Sequence, residues 1–144
     1  MINIPTHFIS SILALGLAFQ SASADEEKVL NIYNWPDYIA DGMLDSFQKE
    51  TGIKVNYDTF DTSEALNAKL VAGNTGFDIV VTGTSFSPSQ TEAGYFRELD
   101  KPVISNLSNL DPIITASLAK ADPANRYLVP WAWGFTTVGI NKGK

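Results

Sequence analysis

The sequence has 144 residues, no cysteine, one histidine and a formal net charge of −6. Without cysteine, the chain cannot form disulfides, zinc–thiolate sites or a thiol nucleophile. The net negative charge disfavours nucleic acid and anionic membrane surfaces as partners, and it is compatible with a cationic ligand.

Residues 1–24 are predicted to be a secretory signal. An apolar run at residues 8–19 is too short to span a bilayer, and small residues at the spacing of a signal-peptidase site follow at 22–24 (Ala-Ser-Ala). No Lys or Arg precedes the run, so a membrane anchor or a wrongly assigned start codon is the alternative. The exported, periplasmic part is then residues 25–144. Because His7 lies in the signal, that part has no histidine for acid–base catalysis or metal binding.

The first predicted elements alternate strand and helix. Residues 29–35 are rich in β-formers and end at Pro36, which cannot donate to a sheet ladder, so a strand is expected there. A helix over residues 41–50 follows, with Gly52 as its stop. The next β-forming segment, residues 53–58, is predicted to be the second strand.

A second helix and a third strand continue this alternation. Asp61 or Thr62 is predicted to cap a helix that ends at Gly73, and Glu64 stands in a capping-box relation to Asp61. Residues 77–81 are almost wholly apolar, which is typical of a strand buried on both faces by helices. Strands that alternate with helices predict parallel βαβ units, so the fold class is α/β. The apolar face of the second helix is expected to comprise Ala65, Leu66 and Leu70.

The small-residue segment 82–86 follows the third strand, which is where open α/β sheets bind ligands. A later helix is expected to begin with Pro112 as its first residue. In chain order, the remaining pattern predicts a short helix at residues 90–93, a loop at 99–109, a helix at 112–120 and strands at 127–130 and 136–140.

An aromatic and acidic cluster follows the first strand. Trp35, Asp37 and Tyr38 place an indole, a carboxylate and a phenol within four residues. Such a cluster suits a cation with a methylene body, because the carboxylate pairs with an ammonium group and the aromatic faces cover the carbons. The alternative is structural: Trp35 belongs to the core and Asp37 caps the following helix.

The loop after the third strand is the second candidate site, with Gly83, Ser85 and Phe86 as its candidate ligand residues. Its backbone amides and hydroxyls would meet the first cluster if the two preceding strands are neighbours. A loop of Gly, Ser and Thr equally suits an oxyanion, so sulfate, phosphate and carboxylate ligands remain open.

The sequence contains no catalytic motif. The Gly-x-Ser-x-Gly, His-Glu-x-x-His and EF-hand patterns are absent, and the loop after the third strand lacks the Gly-Lys-Ser/Thr ending of a nucleotide P-loop. We therefore expect a protein that is not an enzyme and that uses no cofactor or metal. Trp131 and Trp133 either wall a pocket or brace a hinge, or they pack in a core.

Several ordered blocks stand out together: residues 30–39, 50–55 (ETGIKV), 76–81 (GFDIVV), 109–112 (NLDP) and 130–141. They resemble the periplasmic polyamine-binding proteins of the putrescine and spermidine type, and the resemblance covers residues 28–142. It implies a type II periplasmic binding protein, a monomer whose two lobes close on one ligand. Such a receptor delivers its polyamine to the inner-membrane permease of an ABC transporter. The chain would hold the early part of the first lobe and the start of the crossover, with the second lobe absent.

The resemblance also implies roles for individual residues. Trp35, Asp37 and Tyr38 match positions that line the ligand cleft, where Asp37 takes an ammonium group and the aromatic rings pack on the methylenes. The putrescine-binding proteins carry serine where this sequence has Pro36 and Gly83. The preferred amine, whether putrescine-like or spermidine, is therefore left open.

Functions outside polyamine transport are the alternatives. A receptor of the same fold can bind another small solute, such as an oxyanion, a ferric ion or a sugar. A sensory domain, or an exported enzyme with its catalytic residues beyond Lys144, would share the same early sequence.

Overall fold

The computed structural model describes residues 27–134 and 137–143. The predicted signal at residues 1–24 lies outside them, and so does the first residue of the strand predicted at 136–140. None of the described helices has the length and apolar character needed to cross a membrane. In chain order the first elements are β1 (Val29–Asn34), α1 (Met43–Thr51), β2 (Lys54–Thr59), α2 (Ser63–Ala72), β3 (Ile79–Val80) and α3 (Ser87–Glu92). Two short 3₁₀ helices (Lys101–Val103 and Ser105–Asn109), α4 (Pro112–Leu118) and a third 3₁₀ helix (Pro123–Asn125) follow.

The strands form one parallel sheet with the order β2-β1-β3. β1 lies in the centre and pairs with β2 along its whole length, from Val29 opposite Lys54 to Asn34 opposite Thr59. Its pairing with β3 is shorter and places Ile32 opposite Ile79. Parallel neighbours need a crossover, which α1 supplies between β1 and β2 and α2 supplies on the way to β3. The predicted α/β fold class is confirmed.

Helix ends follow the expected local chemistry. Gly52 ends α1 in the left-handed conformation at φ 70°, and its N–H donates to the carbonyl of Gln48. At the start of α2, Thr62 is the cap, because its hydroxyl accepts a hydrogen bond from the N–H of Ala65 at 3.1 Å. Since the helix begins one residue after Thr62, the expected capping box between Asp61 and Glu64 is wrong.

The core lies between the sheet and α2. Phe60, Leu66 and Leu70 are its buried residues, with Leu66 fully shielded from solvent. Ala65, which was expected on the same face, is exposed, since α2 turns it away from the sheet. The partly buried residues that pack against this core are Tyr33, Trp35, Val80 and Phe96.

The third strand is shorter than predicted, because a side chain replaces part of its ladder. The carboxylate of Asp78 accepts hydrogen bonds from the N–H and the side-chain amide of Asn31, at 2.8 and 3.1 Å. Ile79 is 46% exposed, so the expectation of a strand buried on both faces is wrong for the described residues. One face of β3 is left to solvent.

The strand predicted at residues 127–130 is not formed. The carboxylate of Asp122, itself 1% exposed, accepts hydrogen bonds from the N–H groups of Tyr127 and Leu128, both at 2.8 Å. These amides therefore satisfy their hydrogen bonds without a neighbouring strand. Residues 137–140 are also not a strand, and Val138 is 84% exposed.

Replacing Thr62 by Ala is expected to lower the free energy of unfolding by about 1 kcal/mol, because the N–H of Ala65 loses its capping acceptor. The matched control is Asp61→Ala, which removes a neighbouring polar side chain that does not cap α2 and should change stability by less than about 0.5 kcal/mol. Urea denaturation followed by circular dichroism measures both. A larger loss for Asp61→Ala than for Thr62→Ala would contradict the observed cap.

Candidate functional site

Both predicted ligand segments follow strands whose carboxyl ends lie at the same edge of the sheet. Residues 35–38 follow β1 and residues 82–86 follow β3, and the register places Tyr33 opposite Val80. One step further, the N–H of Val81 donates to the carbonyl of Tyr33 at 3.0 Å, so the two strands stay together up to their ends. The structure thus brings the two segments to one edge, where parallel sheets bind ligands.

Asp37 lies in a tight turn with an uncommon backbone. Its φ is 60°, in the left-handed region that among non-glycine residues only Asn and Asp adopt readily. Pro36 before it fixes its own φ near the value that the second residue of a turn requires. Both residues are exposed, and the carboxylate of Asp37 is accessible to a ligand. The alternative that Asp37 caps the next helix is wrong, since Gly42 is the N-cap of α1.

Trp35 joins the core to the first predicted ligand segment, residues 35–38. Its ring centroid lies 4.5 Å from that of Phe60 in the core and 6.3 Å from that of Tyr38. Tyr38 is 46% exposed, whereas Trp35 is half-buried. The indole therefore packs inward on one side and continues into an aromatic edge beside Asp37. An edge of this kind can cover the methylenes of an amine whose ammonium group pairs with the carboxylate.

Two side chains that the sequence analysis did not select hold Trp35 in place. Asn34, 1% exposed at the end of β1, accepts a hydrogen bond from the N–H of Trp35 at 2.7 Å. Tyr57 of β2 donates its hydroxyl to the carbonyl of Trp35 at 3.2 Å. An Asn at the end of the predicted first strand could have indicated this role, because a polar side chain that becomes buried there needs a hydrogen-bond partner.

The pKa of Tyr57 is raised above its usual value. Burial of the phenol is the main cause of the raised pKa, the side-chain amide of Asn34 acts in the opposite direction, and the negative charge of Asp37 adds to the rise. Each raising effect disfavours the phenolate. The hydroxyl consequently stays protonated, and remains a donor, throughout the neutral pH range.

The second loop is shaped by hydrogen bonds to its glycine. The carbonyl of Gly83 accepts from the N–H groups of Phe86 and Ser87, at 3.0 and 3.1 Å. A side chain added at Gly83 would have its Cβ 3.7 Å from the Ser85 hydroxyl oxygen and 3.9 Å from that of Ser63. These are ordinary van der Waals distances, so a Cβ atom fits at this position. Ser85 is exposed and Phe86 is half-buried.

A chain of side-chain hydrogen bonds ties this loop to the helices behind it. Thr82 donates to Gln90 at 2.7 Å, and Gln90 donates to Asn67 of α2 at 3.2 Å. Gln90 is 1% exposed, and its side chain acts both as a donor and as an acceptor. The loop is consequently held in place by side chains of α2 and α3.

The tryptophans at 131 and 133 lie in a different part of the structure. They line a shallow hollow of about 160 Å³ together with residues of α4 and the segment before it. Trp131 is 56% exposed and Trp133 is 71% exposed, so the interpretation as packed core is wrong for the described structure. Within residues 27–134 and 137–143, no cluster of three His, Asp or Glu side chains is suited to holding a metal ion.

The chain is similar to known bacterial solute-binding proteins. The family of bacterial extracellular solute-binding proteins matches residues 42–144. The putrescine-binding periplasmic protein of Escherichia coli is 50% identical over 121 residues, which are 84% of this chain and 33% of that protein. The spermidine/putrescine-binding periplasmic protein of the same organism is 40% identical over 129 residues, which are 89% of this chain and 36% of that protein.

A solved structure is similar as well. The substrate-binding protein of a spermidine/putrescine ABC transporter from Streptococcus pneumoniae aligns with a TM-score of 0.66 and 35% identity. The alignment covers 71% of this chain and 31% of that one. The chain spans about a third of the length of the relatives it matches. The resemblance to polyamine-binding proteins and the fold expected from it are confirmed.

Replacing Asp37 by Asn is expected to lower the pKa of Tyr57, since the neutral amide no longer disfavours the phenolate. Asn also tolerates the left-handed backbone, so the turn is kept. Nuclear magnetic resonance of ¹³Cζ-labelled tyrosine measures the titration, and the resonance is assigned by its loss in Tyr57→Phe. Glu50→Gln, at the far end of α1, is the control and should leave the pKa unchanged. An unchanged pKa in Asp37→Asn would contradict the proximity of the two groups.

Proposed function

The chain belongs to the family of bacterial extracellular solute-binding proteins, and from that premise we propose that the whole protein captures a putrescine-like polyamine, or spermidine, for an ABC importer. The observation that carries this proposal is the exposed carboxylate of Asp37 in a preformed turn beside Trp35 and Tyr38. Relatives named for binding putrescine and spermidine support the same ligand class.

The geometry suits one end of a flexible diamine. An ammonium group needs a carboxylate to replace the water that it loses, and its methylenes need an apolar surface. Asp37 offers the first, and the rings of Trp35 and Tyr38, 6.3 Å apart, offer the second. A cation held over an aromatic face gains about 0.5–2 kcal/mol in addition to the ion pair.

The second loop lies at the same edge and is proposed to contact the ligand through Gly83, Ser85 and Phe86. Because Gly83 carries no side chain, a hydroxyl at this place would come from a neighbour, of which Ser85 has its oxygen 3.7 Å from the position of the missing Cβ. A second carboxylate for the far ammonium group, and the surface that closes over the ligand, are proposed to come from a second lobe. Closure by two lobes is what makes tight capture of a flexible dication possible.

Location and partners follow from the same proposal. Residues 1–24 would be removed on export, and the receptor would work in the periplasm as a monomer. Its partner would be the permease of an ABC transporter in the inner membrane. The bound solute would leave chemically unchanged, so the activity is binding and transfer without catalysis.

Replacing Asp37 by Asn is expected to weaken putrescine binding by about 10- to 100-fold, the range set by losing one charge-assisted hydrogen bond. Isothermal titration calorimetry of the whole protein, with putrescine and spermidine as ligands, measures this effect. The control is Glu50→Gln, which removes an exposed carboxylate at the opposite edge of the sheet and should leave affinity unchanged. Equal binding by wild type and Asp37→Asn, or tight binding of sulfate, phosphate or a sugar instead, would refute the proposed ligand class.

Export is tested separately from binding. Mass spectrometry of the periplasmic fraction of the native host should find a mature N-terminus at Asp25, because Ala22-Ser23-Ala24 provides the small residues that signal peptidase selects. A chain that keeps residues 1–24 and fractionates with membranes would instead support the anchor interpretation. Replacing Ala24 by Arg should block cleavage, and it gives the uncleaved reference mass.

A further inference from the structure

The backbone of Trp35 is held on both sides by side chains that do not belong to the proposed ligand residues. Its N–H donates to Asn34 at 2.7 Å, and its carbonyl accepts from the hydroxyl of Tyr57 at 3.2 Å. Asn34 is itself fixed, since it is 1% exposed and its main-chain carbonyl accepts a hydrogen bond from the N–H of Phe60 at 3.1 Å. The peptide that leads into the Asp37 turn therefore has a defined orientation.

The turn depends on this fixation because little else holds it. β1 ends at Asn34, so the sheet ladder does not extend to the turn. Pro36 has no N–H with which to form a further hydrogen bond, and residues 36–38 are exposed. The position of the Asp37 carboxylate is thus determined by the orientation of Trp35, whose ring packs on Phe60 at 4.5 Å.

Tyr57 reaches this peptide from the neighbouring strand. It lies on β2 opposite Ile32, and its phenol extends along the sheet towards the carboxyl edge, where its hydroxyl meets the carbonyl of Trp35. The contact joins residues 22 positions apart, so it links the turn to a part of the sheet that does not itself enter the site. The link is a single hydrogen bond that can be removed without changing the ring.

We propose that Tyr57 is a positioning residue of the cation site, which sets the place of the Asp37 carboxylate by holding the Trp35 carbonyl. The inference rests on the proposed function and extends it to a residue without ligand contact. Tyr57 acts on affinity through the turn alone.

The first experiment is Tyr57→Phe in the protein as its host produces it, titrated with putrescine. Affinity should fall about three- to tenfold, as expected for the loss of one hydrogen bond that orders the site. The matched control is Tyr95→Phe, which removes a phenol hydroxyl from a 39% exposed residue after α3 and should leave affinity unchanged. Affinity equal to wild type in Tyr57→Phe overturns the proposal.

A double-mutant cycle with Asp37→Asn separates positioning from a general structural effect. If Tyr57 acts by placing the carboxylate, its removal should cost nothing further once that carboxylate is neutral. Because Asp37→Asn binds weakly, the affinities in this background are measured with putrescine at millimolar concentration. The same fold-loss in both backgrounds would mean that Tyr57 supports the lobe in general, and it would overturn the proposal.

Amide hydrogen exchange without ligand tests the positioning independently. Tyr57→Phe should speed exchange at the N–H of Trp35, which is protected by its hydrogen bond to Asn34, while exchange at the N–H of Val81, which donates to Tyr33, stays as in wild type. Unchanged exchange at Trp35 overturns the proposal even if binding is altered. If wild type binds no polyamine, the proposed function fails, and the exchange result alone decides the role of Tyr57.

Discussion

Six consecutive residues of β1 pair in parallel with six of β2, and this register decides where the candidate ligand residues lie. Parallel pairing places the ends of both strands at one edge, where Asn34 lies opposite Thr59. The chain then has to leave β1 in a turn before α1 can return it to the start of β2. Trp35 opens that turn, and its packing on Phe60, just beyond the end of β2, fastens the turn to the core. The site is thus a product of the sheet's connectivity.

Polar side chains accept hydrogen bonds from backbone N–H groups that the short strands leave without a partner. Asp78 accepts from the N–H of Asn31, Asn34 accepts from the N–H of Trp35, and Asp122 accepts from two amides after the last 3₁₀ helix. Each satisfies backbone groups that a longer strand would have used. Asn34 and Asp122 do so while almost completely buried, which makes these bonds strong and their geometry well defined. Order in the loops therefore comes from individual acceptors more than from packing.

Sequence reasoning found the parts of this structure that local patterns encode. The α/β alternation, the helix stop at Gly52 and the helix start at Asp111-Pro112 follow from turn and capping chemistry within a few residues. The placement of Asp37 at the carboxyl edge of the sheet follows from the end of a strand. The hydrogen bond of Tyr57 was not predicted, because strand periodicity indicates only which face of the sheet a side chain occupies. It gives no information about a bond to a carbonyl 22 residues away. The strand expected at 127–130 failed for a similar reason, since Asp122 satisfies its first amides.

The left-handed backbone of Asp37 also limits how the proposed cation site can change over evolutionary time. At φ 60° a residue with a longer, unbranched acidic side chain such as Glu costs about 1–2 kcal/mol, whereas Asp and Asn bond locally and are tolerated. The distance from the main chain to the carboxylate is therefore fixed at this position. If Asp37 binds the ammonium group as proposed, a lineage that shifts to a longer or shorter cation would keep this residue and change the opposite wall of the proposed cleft. Selection for a new solute should accordingly accumulate its substitutions away from the turn.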